Sequence, residues 1–416
     1  MNYSIKTLDN GLRIIHCPSD SQVVYCGFQI SAGTRHEQSG EEGLAHFVEH
    51  TTFKGTQRRK ALQIIQTLER VGGELNAYTN KEETVYYAAC LAENLPIALD
   101  ILTDIVFHSI YPEQEIEKEK EVIVEEIESY NDSPAELIFD EFENILFQHH
   151  PLGHNILGTI ENVRRFTAAD VRRFASRYYR PENAVFFMSG GALDKRILNV
   201  LNRIHGRNGN NGQDRLYVNC QPSTVHCQPS TVHCQPSTVK SLNTHQSHVM
   251  IGAQAFARNH PDRLALYLLN NILGGPGLSA RLNISLRERR GLVYTVESNM
   301  VAYSDTGLWA VYFGCDHEDT DRCLRLVKKE LQKLKEKPLS PRQLAQAKRQ
   351  LKGQIGIASD HRENAMLDTA KAFLHDGLVK TIPQIYTEID AITADQLQRI
   401  AQTLFDDNKM QTLVYR

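Results

Sequence analysis

Several features are missing from this chain of 416 residues, and each absence removes a class of function. There is no basic excess. Lys and Arg total 46 against 50 Asp and Glu, a net charge of −4, so nothing resembles the positive footprint of a nucleic-acid binder. No apolar run approaches the roughly 20 residues that a membrane-spanning helix needs. None of the eight cysteines (Cys17, Cys26, Cys90, Cys220, Cys227, Cys234, Cys315 and Cys323) forms a C-x-x-C pair. Most read as small buried hydrophobes in a reducing compartment. The opening MNYSIKTLDNGLRIIHC has no basic segment followed by an apolar core. It carries no secretory signature and passes into a strand pattern with Asn10-Gly11 as a hairpin turn. The expectation is a cytoplasmic protein with neither nucleic acid nor membrane as partner. What remains is an ordinary globular balance, 41% apolar and 23% charged, over a length that calls for two or more domains.

Against this background one stretch stands out, His46-Phe47-Val48-Glu49-His50. It is the H-E-x-x-H zinc-protease signature in reverse order. Imidazoles four residues apart project from one face of a helix and can share an ion. Glu49 lies beside them, free to act as a base rather than a ligand, which is the division of labour a hydrolytic metal site requires. Gly43-Leu44-Ala45, Phe47 and Val48 make the segment apolar, so its polar side chains need partners.

Catalytic zinc usually takes three protein ligands. The third is sought in Glu113–Ser129, EQEIEKEKEVIVEEIES, a helical run whose Ile116, Val122, Ile123 and Ile127 approximate an apolar stripe. Glu119 and Glu126 are two turns apart and share a face close to that stripe. Glu126 is a candidate ligand and Glu119 a candidate carboxylate for orienting an imidazole or water. Composition alone does not choose among the many glutamates of this helix.

At this point the chain resembles the inverzincins, the family that includes pitrilysin, insulin-degrading enzyme and the mitochondrial processing peptidases. The resemblance extends over nearly the whole chain. It rests on HFVEHTTFKGT (His46–Thr56), GGELNAYTNKEETVYY (Gly72–Tyr87), YYRPENAVFFMSG (Tyr178–Gly190) and LRERRGLVY (Leu286–Tyr294). The family's glutamate ligand follows the second histidine by 76 positions, and Glu126 follows His50 by that interval. Glu119 matches the family's other functional glutamate in the same helix. The resemblance therefore implies a zinc endopeptidase with one Zn2+ per chain on His46, His50 and Glu126, and with Glu49 as general base. It implies substrate-pairing residues at Asn76 and Ala77 on an edge strand, where free backbone groups would hold an extended peptide of any sequence. It also implies that Arg287 and Tyr294 bind the substrate and stabilise the oxyanion, since both side chains donate hydrogen bonds to developing negative charge. Glu83 and Tyr86 match the same block without an assigned role. The loop Gly274–Arg281 resembles the family's glycine-rich loop, with Pro276 as a departure. Chains of this length in the family build a closed chamber from two subunits, so a homodimer is expected, with Arg287 and Tyr294 acting in trans on unstructured peptides. The competing expectations are a non-catalytic scaffold and a subunit that needs a different partner.

The fold class expected is α+β, two homologous domains, each a mostly antiparallel sheet covered by helices. The boundaries read as 1–206 for the metal-binding domain, 207–243 for a linker and 244–416 for a domain without metal. The linker contains CQPSTVH, CQPSTVH and CQPSTVK in tandem, a Pro/Ser/Thr-rich expansion whose His and Cys spacing fits no usual zinc pattern. The halves echo each other. Phe166–Val171 resembles Ile392–Leu397, and Tyr111–Ile127 resembles Leu339–Ile355. In that alignment Glu119 falls on Ala347 and Glu126 on Gln354, so only the first half carries metal ligands.

Overall fold

The computed structural model describes residues 3–205 and 237–416. Its first sheet contains β1 (Ser4–Thr7), β2 (Arg13–Cys17), β3 (Val23–Ile30), β4 (Glu74–Thr79), β5 (Thr84–Leu91) and β6 (Ala184–Ser189). Their order across the sheet is β1-β2-β6-β3-β5-β4, antiparallel except for the β2–β6 pair. Asn10 and Gly11 do lie in the turn between β1 and β2, with Gly11 at φ 83°. The second sheet contains β7 (Thr238–Lys240), β8 (Ser247–Ala255), β9 (Val293–Ala302), β10 (Gly307–Cys315) and β11 (Gln411–Tyr415). Its order is β7-β11-β8-β10-β9, again with one parallel pair, β7–β11. Taken strand by strand, this is the order β2-β6-β3-β5-β4 over again. The duplication visible in the sequence is thus a duplicated topology. Its echoing motifs play the same part in both halves. Thr167 caps the helix Ala168–Tyr178 by accepting from Asp170 N, and Thr393 caps Ala394–Leu404 by accepting from Gln396 N.

The central strands read as near-continuous apolar runs because both of their faces are covered. In the first sheet, Val24, Cys26, Phe28, Ile30, Tyr86, Phe186 and Met188 pack under helices of the N-terminal half. The alternating residues Ile15, Cys17, Val85, Val185 and Phe187 face the other way. They meet Met366, Ala370, Phe373 and Leu374 of the helix Arg362–Asp376. The second sheet receives a helix from the N-terminal half in the same manner. In Pro134–Leu146, Phe139 meets Tyr312 at 5.1 Å between ring centroids, and Glu141 accepts from the Tyr415 hydroxyl at 2.6 Å.

Each compact unit is therefore discontinuous in sequence. Residues 130–148 belong to the second unit and 357–381 to the first. This corrects the contiguous boundaries 1–206 and 244–416, because periodicity shows that a helix has an apolar face but not which sheet covers it. The linker reading 207–243 is corrected at its end, where Thr238–Lys240 forms β7 on the sheet edge. The heptad repeat up to residue 236 lies outside the described residues. Among the described residues no helix is long and apolar enough to cross a membrane.

The helix Arg362–Asp376 is also tied down by charge. Glu83, almost wholly buried, pairs with Lys371 at 2.6 Å and His375 at 3.0 Å. Burial alone would raise the Glu83 carboxyl, but His375 and Lys371 outweigh it and hold it well below the usual carboxylate range. A depressed folded value contributes stability that is complete above the unfolded value of about 4.3 and is lost as pH falls through the folded one. Glu83→Gln is expected to cost about 2 kcal/mol at pH 7, less than a fully buried pair because Lys371 is partly exposed. In urea unfolding, the gap between wild type and variant should narrow at pH 3.

Candidate metal centre

The helix Leu44–Thr52 is buried along almost its whole length, His46 and Glu49 included, with His50 half-buried. His46 and His50 lie with ring centroids 4.5 Å apart, as their four-residue spacing requires. The helix Glu113–Asn131 presents Glu126 to both. Its Oε1 is 3.7 Å from His46 Nε2 and its Oε2 is 3.4 Å from His50 Nε2. One donor atom from each of the three residues lies within 4.8 Å of the others. Among the described residues this is the single such cluster of His, Cys, Asp and Glu. Two imidazoles and a carboxylate are the donor set of open, hydrolytic zinc sites, so the residues fit the ion the sequence implies.

The surrounding contacts orient these candidate ligands. His50 Nδ1 lies 3.0 Å from Glu119 Oε1, which fixes the tautomer that leaves Nε2 free to ligate. The other Glu119 oxygen takes Lys54 Nζ at 2.6 Å. Burial works against the charged form of His50, but the bond to Glu119 and the charges of Glu126 and Glu49 outweigh it and raise its pKa. His46 is different. Burial, reinforced by the nearby His50, pulls it down to about 3, so it is neutral and ready to bind at neutral pH. Glu49 belongs to neither set. Its Oε2 accepts from the Thr79 hydroxyl at 2.5 Å, and burial raises its pKa against the pull of that bond. A buried carboxylate with a raised pKa, next to a metal-ligand cluster but outside it, is suited to move protons.

Asn76 and Ala77 lie on β4, the edge of the first sheet, opposite Tyr87 and Tyr86 of β5. The same strand ends at Thr79, so the Glu49 carboxylate is bonded to the edge strand itself. Arg287 and Tyr294 belong to the second unit. There they line a cavity of about 470 Å³ together with Gly274, Gly275 and Pro276 of the glycine-rich loop, and Tyr294 is 85% exposed. Tyr86 is structural. Its hydroxyl bonds Tyr179 at 2.9 Å and Thr52 at 3.2 Å.

Sequence reasoning misplaced one residue and missed others. Val122 is 49% exposed, so the apolar stripe runs through Ile116, Ile123, Val124 and Ile127 instead. The misplacement arises because neighbouring Val122 and Ile123 fit the helical period almost equally. Thr79 and Lys54 lay within matched motifs but gave no sign of their partners, which are 30 and 65 residues away. Glu37 and His154 gave no signal at all.

Comparison with known proteins shows the family. Residues 14–160 match the family described as Insulinase (Peptidase family M16), and residues 165–351 match the description Peptidase M16 inactive domain. An uncharacterised zinc protease of Bacillus subtilis, YmxG, is 32% identical over 98% of this chain and 97% of its own. An uncharacterised zinc protease of Streptomyces coelicolor is 31% identical over 95% of this chain and 86% of its own. Among solved structures, a protease from Helicobacter pylori covers 100% of this chain and 99% of its own with a TM-score of 0.87 at 21% identity. That last likeness speaks for the fold. The architecture and the family matches are those of a two-domain metallopeptidase class. The chain belongs to peptidase family M16, the insulinase family, whose relatives here are named zinc proteases.

Replacing Glu119 by Gln is expected to weaken zinc binding by about tenfold, since the amide holds His50 in the ligating orientation less firmly. Competition against a chromophoric chelator measures this directly.

Proposed function

We propose that the protein is a zinc-dependent endopeptidase acting on unstructured peptides. The observation that carries this reading is the convergence of His46, His50 and Glu126 beside Glu49, a carboxylate bonded to the edge strand instead of the ligand cluster. An ion held there would supply Lewis acidity toward a carbonyl oxygen and toward water. The chain's own groups do the rest. The backbone of β4 at Asn76 and Ala77 pairs with an extended peptide, which places a scissile bond alongside the helix Leu44–Thr52. Glu49 takes a proton from the attacking water and delivers it to the leaving amine. Arg287 and Tyr294 hold the substrate backbone and donate to the oxygen that gains charge. In this proposal they come from a second copy of the chain, so that a homodimer closes a chamber around two sites. The partition of the family matches, with a second half described as inactive, supports a division between a metal-bearing and a substrate-holding half.

The test is hydrolysis of a quenched fluorescent peptide library, with Glu49→Gln run beside the wild type and zinc counted in both. Wild-type cleavage that falls by about 10²–10⁴-fold in Glu49→Gln with zinc retained is the expected result. Full zinc with no cleavage of any peptide would overturn the endopeptidase reading for the isolated chain and favour a scaffold or a partner-dependent subunit. Size-exclusion with mass measurement checks the homodimer, and a monomer in an active preparation would sink the in-trans assignment of Arg287 and Tyr294.

A further inference from the structure

The ligand-bearing helix begins in a way that its own sequence does not explain. Gly43 stands where a Ser, Thr, Asp or Asn cap is usual, at φ 96°, and offers no side chain to the first amides. Glu37 meets them instead. Its Oε2 accepts from Gly43 N at 3.0 Å and its Oε1 from Ala45 N at 2.7 Å. The Glu37 side chain is 0% exposed, and its remaining partner is His154, whose Nε2 lies 2.9 Å from Oε2. The positive end of the helix favours this buried carboxylate.

His154 does not stop at Glu37. Its backbone carbonyl accepts from Lys81 Nζ, which also donates to Leu152 O at 3.1 Å. Lys81 is 3% exposed and lies in the turn between β4 and β5, two residues beyond Thr79. Thr79 in turn donates to Glu49, back on the same helix. The contacts thus form a closed circuit from the helix start through His154 and Lys81 to the edge strand and back to the base.

The two histidines depend on this circuit unequally. His50 is oriented from behind by Glu119. The buried Nδ1 of His46 has no protein partner. With no bond at Nδ1, the His46 ring depends for its placement on packing and on the backbone of the first helical turn, the turn whose amides Glu37 holds.

We propose that Glu37 and His154 are positioning residues that fix the first turn of the ligand-bearing helix against the edge strand, and so place His46 for metal binding. The proposal rests on the metallopeptidase reading above, and its primary readout is zinc affinity instead of turnover.

The experiment measures zinc affinity by chelator competition in the full chain for wild type, Glu37→Gln, His154→Ala and His154→Gln, with thermal unfolding of each apo form. Glu42→Gln serves as a control from the same loop, where Glu42 accepts from Gly40 N. Folded Glu37→Gln and His154→Ala should bind zinc about tenfold more weakly, with His154→Gln recovering most of the loss and Glu42→Gln unchanged. At saturating zinc, peptide hydrolysis by Glu37→Gln should show a lowered kcat with KM little changed. Unaltered zinc affinity in folded Glu37→Gln overturns the proposal, as does an equal loss in Glu42→Gln, which would mark a general loop effect. If Glu37→Gln does not fold, the same affinity outcomes in the His154 pair decide. Wild type that binds no zinc overturns the metal-site reading itself and this proposal with it, whereas zinc-bound wild type without cleavage leaves the affinity comparison intact.

Discussion

The structure depends on one costly act, the burial of an imidazole and a carboxylate, His46 and Glu49, on an otherwise apolar helix, with His50 half-buried beside them. Leu44, Ala45, Phe47 and Val48 take that helix into the core, and His46 and Glu49 go with them. A buried polar group left without a partner costs about 1–3 kcal/mol. The neighbouring elements are placed to avoid that cost. The acidic helix contributes Glu119 and Glu126, β4 contributes Thr79, and Lys54 balances Glu119 from just beyond the helix. His46 Nδ1 is the exception, and its lack of a protein partner makes its orientation a matter of packing and backbone position.

The two units show what duplication preserves and what it releases. Strand order, the single parallel pair and the Thr-capped helix are common to both. The carboxylates are not. Ala347 is buried and apolar at the position that echoes Glu119, and Gln354 stands where Glu126 would be. Packing constrains the frame of both copies, whereas only one of them keeps the His and Glu cluster. The second copy has its own feature, the cavity that brings Arg287 and Tyr294 together beside a glycine-rich loop.

How much of this was legible in the sequence depends on the range of the contact. The pairing of His46 with His50 is a property of helical geometry and could be read from five residues. The two-turn spacing of Glu119 and Glu126 was equally readable. Choosing Glu126 from a run of glutamates required the family resemblance, because nothing local distinguishes it. The strands β3, β5 and β6 are rich in β-branched and aromatic residues, a signature that is local and can be read from the chain. The partners of Glu49 and of the helix start did not, because Thr79, Glu37 and His154 become neighbours only through the fold. The exchange of helices between halves was invisible for the same reason. An amphipathic pattern states that a face will be covered and is silent about what covers it.

That exchange bears on how the chain is made. One face of the first sheet, with Ile15, Val85, Val185 and Phe187, is complete in sequence by Ser189, yet its cover is Arg362–Asp376. During synthesis at roughly 5–20 residues per second, this greasy surface waits on the order of tens of seconds for the segment that shields it. The nascent N-terminal half is thus born unfinished. A ribosome that stalls in the second half leaves a polypeptide whose His46, His50 and Glu126 are all present but whose sheet is bare on one side, a species prone to clump and to attract chaperones.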